Sequence, residues 1–352
     1  MKKTLLTIFT LVILTGLTTM VFAGGQSEEQ NGEGSGKFAL ILATGGLGDQ
    51  SFNDLTYQGL ERAEKELDIR FDYVEPKEIA DYEVYQRDMA DTGEYGLIIC
   101  VGFDQADALA KVAEDYPEQN FAIIDMVVDK PNVASYVSKE EQGSFLVGAI
   151  AGLVEKEQAL PGLNKAPVTG VVGGMDIPLI RKFVAGYMAG AKYVYPEMEV
   201  LSNYVGGWSD PTTAKEISNT MYSRDADIIY HAAGGSGLGV FKAAEEEDKY
   251  AIGVNSNQNS ISPDHIIASM LKRVDNACFQ AVNSVLNDNF EPGIHALGIA
   301  ESGIGYSTEG SNIDVPENII SQVESLKDQI EEGSIVVPTD IDQVPEFLSK
   351  NS

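Results

Sequence analysis

Basic side chains are scarce in this chain of 352 residues. Only 24 lysines and arginines stand against 54 aspartates and glutamates, a formal charge of −30 at pH 7. That balance argues against nucleic acid and against an anionic membrane surface as partners, since both would be repelled. Histidine is almost missing: His231, His265 and His295 are scattered without i, i+4 spacing, so no zinc site follows. No DxDxxxDD-like carboxylate cluster offers a metal or water site for hydrolysis. Ser236 in GGSGLG has Leu238 where a nucleophile elbow needs glycine. No catalytic set, metal or cofactor is therefore expected, and binding is favoured over a secreted hydrolase. The two cysteines are Cys100, within the apolar run LIICVG, and Cys278, in a helical pattern. Both are expected to be free buried thiols, because a central strand is a poor place for a disulfide.

The N-terminus does carry a signal. Met1–Ala23 combines Lys2 and Lys3, an apolar stretch from Leu5 to Leu17 and the ending Val21-Phe22-Ala23, the pattern of an export signal cleaved before Gly24. Threonines and Gly16 dilute the stretch, which argues against an uncleaved anchor. No cysteine lies near the cleavage point, so a soluble periplasmic or otherwise extracytoplasmic protein is expected. Residues 24–36, GGQSEEQNGEGSG, read as a flexible linker that cannot bury a core.

Beyond the linker, apolar runs alternate with helical patterns. Strands are expected at 38–43, 69–74, 97–102, 121–126, 133–137, 168–173, 199–206, 228–233, 250–255 and 294–300. Helices are expected near 52–67, 104–116, 141–156, 178–193, 211–223, 238–247, 263–288 and 316–332. This alternation implies α/β architecture with parallel sheets covered on both faces. Phe145–Val154 is apolar all round and reads as a helix buried between lobes. In such sheets the loops after the strands border one crevice.

The most informative of these loops lies in FALILATGGLGDQSFNDLTYQGL (38–60). Gly45, Gly46 and Gly48 make a tight turn between a buried strand and a helix. The near match to GxGxxG lacks its third glycine, and Asp49 would face a pyrophosphate with no lysine or arginine in the loop to offset it. Asp49, Ser51, Asn53 and Asp54 with Phe52 among them suit a neutral ligand rich in hydroxyls and amides. A purely structural turn is the alternative.

Several blocks point to a family: VGFDQADALAKVAEDYPEQNFAIID (101–125), NVASYVSKEEQGSFLVGAIAGL (132–153), VGGMDIPLIRKFVAGYMAGAKYV (172–194), YHAAGGSGLGVFKAAEE (230–246) and SMLKRVDNA (269–277). Over about residues 38–340 the chain resembles the basic membrane protein family, substrate-binding proteins of ABC importers known as purine-nucleoside receptors. The resemblance implies the fold of type I periplasmic binding proteins: two Rossmann-like lobes, three crossovers, a hinge and an interlobe cleft. The lobes would comprise 37–138 with 260–295, and 139–259 with 296–352. It implies a monomer that captures a purine nucleoside or close relative and delivers it to a permease driven by ATPase subunits. A sugar or other small molecule is the alternative ligand.

The resemblance also implies a site. Asp49 and Asn53 would bind the base edge, with Phe52 packing on its face. Phe103 and Asp125 would line the first lobe. Trp208, where the family usually has phenylalanine, would oppose Phe52 or Phe103 to sandwich the base. Gly234 and Gly235 would approach the ligand, and Lys272 would reach the ribose or the far wall. Two features depart from the family. Asn255 and Asn257 stand where it usually has aspartates in V-D-S-D-Q, which weakens the expected grip of Asn255 on a vicinal diol. The lipidation cysteine is missing.

Overall fold

The computed structural model describes residues 36–351. The export signal expected over 1–23, and the expected linker apart from Gly36, lie outside the described residues. The first sheet contains β1 (Lys37–Ile41), β2 (Arg70–Val74), β3 (Leu97–Val101), β4 (Phe121–Ile124), β5 (Val133–Ser138) and β11 (Gly293–Leu297). Their order is β11-β5-β4-β3-β1-β2, every pair parallel. The second sheet contains β6 (Val168–Gly173), β7 (Glu199–Tyr204), β8 (Ile228–Ala232), β9 (Tyr250–Asn255), β10 (Ile266–Lys272) and β12 (Ile304–Ser307). Its order is β12-β10-β9-β8-β6-β7, with β12 alone antiparallel.

Why the strands read as continuous apolar runs is clear from β1. Phe38 and Leu40 pack toward α1 (Phe52–Leu67) and α8 (Val274–Leu286). Ala39 and Ile41 pack toward α2 (Asp81–Thr92) and α3 (Ala106–Asp115) on the other face. A strand buried on both faces has no polar side to alternate with. The second sheet is covered likewise. On one face lie α4 (Glu140–Glu157), α5 (Pro178–Val194), α9 (Glu317–Glu331) and α10 (Val344–Lys350), and on the other α6 (Pro211–Tyr222) and α7 (Leu238–Glu247).

Helices α4 and α5 touch backbone to backbone. A Cβ at Gly190 would lie 2.0 Å from the Phe145 carbonyl oxygen, and one at Gly148 would lie 2.3 Å from that of Tyr187. The all-apolar helix expected between the lobes is therefore packed inside the second lobe, against α5, α9 and β10, because its glycines admit another helix.

The chain passes between the lobes three times: at Lys139, at Arg273 and across 298–303. The expected boundary at 260 is thus corrected, because β10 pairs with β9 and β12 in the second sheet. The helix expected over 263–288 is strand β10 followed by α8, which packs on α1 of the first lobe. The free thiols are as expected, with Cys100 and Cys278 both buried.

Candidate functional site

In each sheet the strand order reverses beside the first strand of its lobe, β1 in one and β6 in the other. A crevice opens outside the carboxyl ends at such a reversal. The loops there face each other across a cleft enclosing about 710 Å³, its open mouth included. Ten residues singled out from the sequence line it, Asp49, Phe52, Asn53, Phe103, Asp125, Trp208, Gly234, Gly235, Asn255 and Lys272, whereas Ser51 and Asp54 do not.

The loop after β1 is held by its own carboxylates. Asp49 accepts from the amides of Ser51 (2.8 Å), Asn53 (2.9 Å) and Asp54 (3.2 Å), satisfying donors at the start of α1. Asp54 accepts from Gly48 (2.7 Å) and Gln50 (2.9 Å). Burial pushes the Asp49 carboxyl above its usual range, and these amide bonds oppose the shift. Three of its acceptor sites are therefore taken by the loop, while Oδ2 carries a single bond and the residue lines the cleft. The Asn53 side chain takes the Ala43 amide on its oxygen (3.0 Å), which turns its NH₂ group away from that bond.

Lys272 forms the floor. Its ammonium, on a residue only 1% exposed, lies 2.6 Å from Asp125 Oδ1 and 3.0 Å from Glu140 Oε1. Lys182 stands 3.2 Å from Glu140 Oε2. Two cations and two carboxylates leave the cluster neutral. Burial alone would lower the lysine's pKa; the Asp125 and Glu140 carboxylates outweigh it and raise the value, keeping the ammonium charged. Phe52 and Phe183 flank the ammonium, their ring centroids 5.3 and 5.5 Å away. Glu140 and Lys272 adjoin two of the three crossovers, so the floor is tied to the hinge.

Trp208 comes from the loop after β7. Its carbonyl accepts from the Ser236 amide (2.8 Å), and the Ser236 hydroxyl ties Gly207 to Asp210. A Cβ at Gly174 would sit 2.3 Å from the indole, so only glycine leaves room for the ring. The ring meets Phe103 of the opposite lobe edge to face, centroids 6.4 Å apart and planes at 66°. These two do not present parallel faces as an aromatic sandwich requires. Gly234 and Gly235 bring backbone up to Trp208, and a Cβ on Gly235 would stand 3.6 Å from Asp49 Cβ.

Asp210 caps α6 through the Thr213 amide (3.0 Å), whereas Asp176 pairs with Arg181 outside the lining. Asn257 points away from the cleft, its amide donating to the Glu309 carbonyl (3.0 Å). The sequence reading missed Leu179, Ile180 and Phe183 at the start of α5, which give the cleft an apolar wall. It also missed Glu140, buried behind Lys272.

Residues 37–340 match the family described as Bmp, ABC transporter substrate-binding protein PnrA-like. The chain belongs to this family. Among relatives of this Bmp protein, an uncharacterized lipoprotein of Pyrococcus horikoshii is 33% identical over 308 residues, covering 84% of this chain and 75% of that one. A Lactococcus lactis protein named ABC transporter nucleoside-binding protein BmpA is 27% identical, covering 96% and 100%. The crystal structure of an ABC transporter solute-binding protein from Aeropyrum pernix superimposes with a TM-score of 0.80 at 30% identity, covering 90% and 98%. The Bmp protein thus has the type I periplasmic-binding-protein fold and is an ABC transporter substrate-binding protein of an extracytoplasmic family. No helix among the described residues is long and apolar enough to cross a membrane.

Proposed function

We propose that this protein captures a neutral purine nucleoside, or a close relative, between its lobes and hands it to the permease of an ABC importer. The observation that carries the reading is the meeting, in one cleft, of aromatic rings from both lobes above a buried lysine–carboxylate cluster of zero net charge. Rings bind the faces of a base, worth ~1–3 kcal/mol for each stacked base. Polar groups in a low-dielectric floor recognise hydroxyls, while a floor without surplus positive charge gives a phosphate nothing to pair with. The name of the Lactococcus lactis relative supports the same ligand class.

The same reading makes the protein a carrier without turnover, acting as a soluble monomer. It also places Asp125, Lys272 and Asn255 at the sugar and the aromatic rings at the base. An asparagine at position 255 offers one accepting oxygen where a carboxylate offers two, so ribonucleosides lose part of their advantage over 2′-deoxynucleosides. Calorimetric titration with adenosine, inosine, guanosine, 2′-deoxyadenosine and AMP tests the reading. Micromolar or tighter binding of a nucleoside, with AMP at least about tenfold weaker, is the expected result. Binding of a monosaccharide with no nucleoside binding overturns it, and steady release of free base overturns the carrier role.

A further inference from the structure

Two loops from opposite lobes meet directly beside the cleft. The Gln50 carbonyl accepts from the Ser256 hydroxyl (2.8 Å) and from the Gln258 amide (3.1 Å). The Ser51 hydroxyl accepts from Asn255 Nδ2 at 2.9 Å and donates to the Val254 carbonyl at 3.4 Å. Gln50 and Asn255 both hold left-handed backbone, with φ of 49° and 65°. Such a conformation persists in a residue other than glycine when its surroundings impose it.

The surroundings do so on both sides. Asp49 and Asp54 fix the first loop through its amides. In the second, Gln258 takes the Val254 amide on its side-chain oxygen (2.8 Å) and gives its own amide to Ser269 Oγ (3.0 Å). Neither Ser51 nor Gln258 lines the cleft; Asn255 does.

The orientation of the Asn255 amide follows from Ser51. Because the serine proton goes to Val254, the hydroxyl has only lone pairs to offer, and the asparagine must present its NH₂ group. Its oxygen is then left on the other side of the amide, on a residue that lines the cleft. That oxygen is buried and has no hydrogen-bond partner in the protein, on a residue only 8% exposed. A buried acceptor without a donor is costly, so a ligand N–H or O–H placed there is strongly favoured.

We propose that Asn255 is the residue through which the bound molecule holds the two lobes shut. One face of its amide accepts a donor from the ligand while the other face bonds Ser51 of the opposite lobe. Binding of the donor fixes the amide in the orientation that bridges the lobes, and the bridge in turn holds the oxygen on the ligand. The proposal rests on the neutral-ligand reading above, and Ser51 acts in it as a positioning residue.

Stopped-flow measurement of adenosine binding, read from Trp208 fluorescence, tests it in the parent, Ser51→Ala, Asn255→Ala and the double variant. Ser51→Ala is expected to speed dissociation about tenfold and to change association by less than about twofold. In the Asn255→Ala background the serine substitution is expected to add little, since the bridge is already gone. Unchanged dissociation in Ser51→Ala, or fully additive effects, overturns the proposal. Adenosine that fails to bind the parent strikes the nucleoside reading alone. The bridge is then judged without ligand, from spin-label distances between Glu66→Cys in the first lobe and Glu216→Cys in the second. Ser51→Ala is expected to shift that distribution to longer distances, and an unchanged distribution overturns the bridge.

Discussion

A single indole and a single buried lysine carry opposite kinds of work in this cleft. Trp208 is the only tryptophan, and its pocket beneath Gly174 holds it at the interlobe seam. Trp208→Ala is expected to weaken nucleoside binding about tenfold or more, in line with ~1–3 kcal/mol for a stacked base, as calorimetry will show. Lys272→Met removes the sugar contact proposed above and should also destabilise the fold. It strands Asp125 as a buried carboxylate and leaves Glu140 with Lys182 alone, a loss of about 3–5 kcal/mol for breaking a buried pair. Burial already raises the Asp125 carboxyl and the Lys272 charge opposes that shift, so without the ammonium Asp125 rises further and the variant's deficit in urea unfolding should shrink as pH falls. A deficit independent of pH would show that the lysine acts through packing alone.

Glu155, on α4, sets a second pH dependence. Burial, with the Asp227 charge adding to it, pushes its carboxyl up to about 8 from an ordinary 4.5. Between those values the folded protein keeps a proton that the unfolded chain has lost. This contribution to stability is full below pH 4.5 and fades as pH rises through about 8. His231 has the opposite sign: burial lowers it from 6.5 to about 4, so its contribution fades as pH falls through that window. Between pH 6.5 and 8.5 the parent's urea midpoint should therefore decline. Glu155→Gln should flatten the decline, leaving the smaller share of Glu141, lifted to about 7 by burial.

At the scale of elements, the strands and helices most readable in the sequence were those whose pattern had a single interpretation. The turn after β1, the Asp210-Pro211 start of α6 and the loops at the strand ends carried their own chemistry, and Asp49, Phe52 and Asn53 of that first turn line the cleft while Ser51 and Asp54 do not. Ile266–Lys272 misled because a central strand buried on both faces shows no alternation, and its apolar run merges with the helical pattern of α8. Helix α2 escaped notice because its exposed face carries Val84 while Tyr82 and Gln86 are buried, which blurs the stripe. Phe183 and Glu140 were missed for a different reason. Their place in the site depends on how α4 and α5 meet, and that contact is made by glycines rather than by a motif. Gly190→Ala tests this contact: a methyl 2.0 Å from a carbonyl oxygen forces the helices apart, at a cost of about 1–3 kcal/mol. Gly305→Ala, with no atom within 4 Å of the added methyl, should be close to neutral when both variants are compared with the parent in thermal melts.

For the molecule as a whole, two lobes joined by three crossovers imply motion about a hinge. Solution scattering should show a monomer that becomes more compact when nucleoside is added. An unchanged radius of gyration at saturating ligand would mean that the lobes stay shut throughout.

The weaving of the chain also fixes an order of events. The first sheet gains its edge strand β11 only after five strands of the second sheet have been made. The second gains β12 only after β11 has been supplied to the first. A chain emerging from its N-terminus therefore finishes neither lobe until residue 297, and the second only at residue 307 and beyond. For nearly all of its synthesis, therefore, β5 and β10 lack their outer neighbours and each sheet is open at that edge.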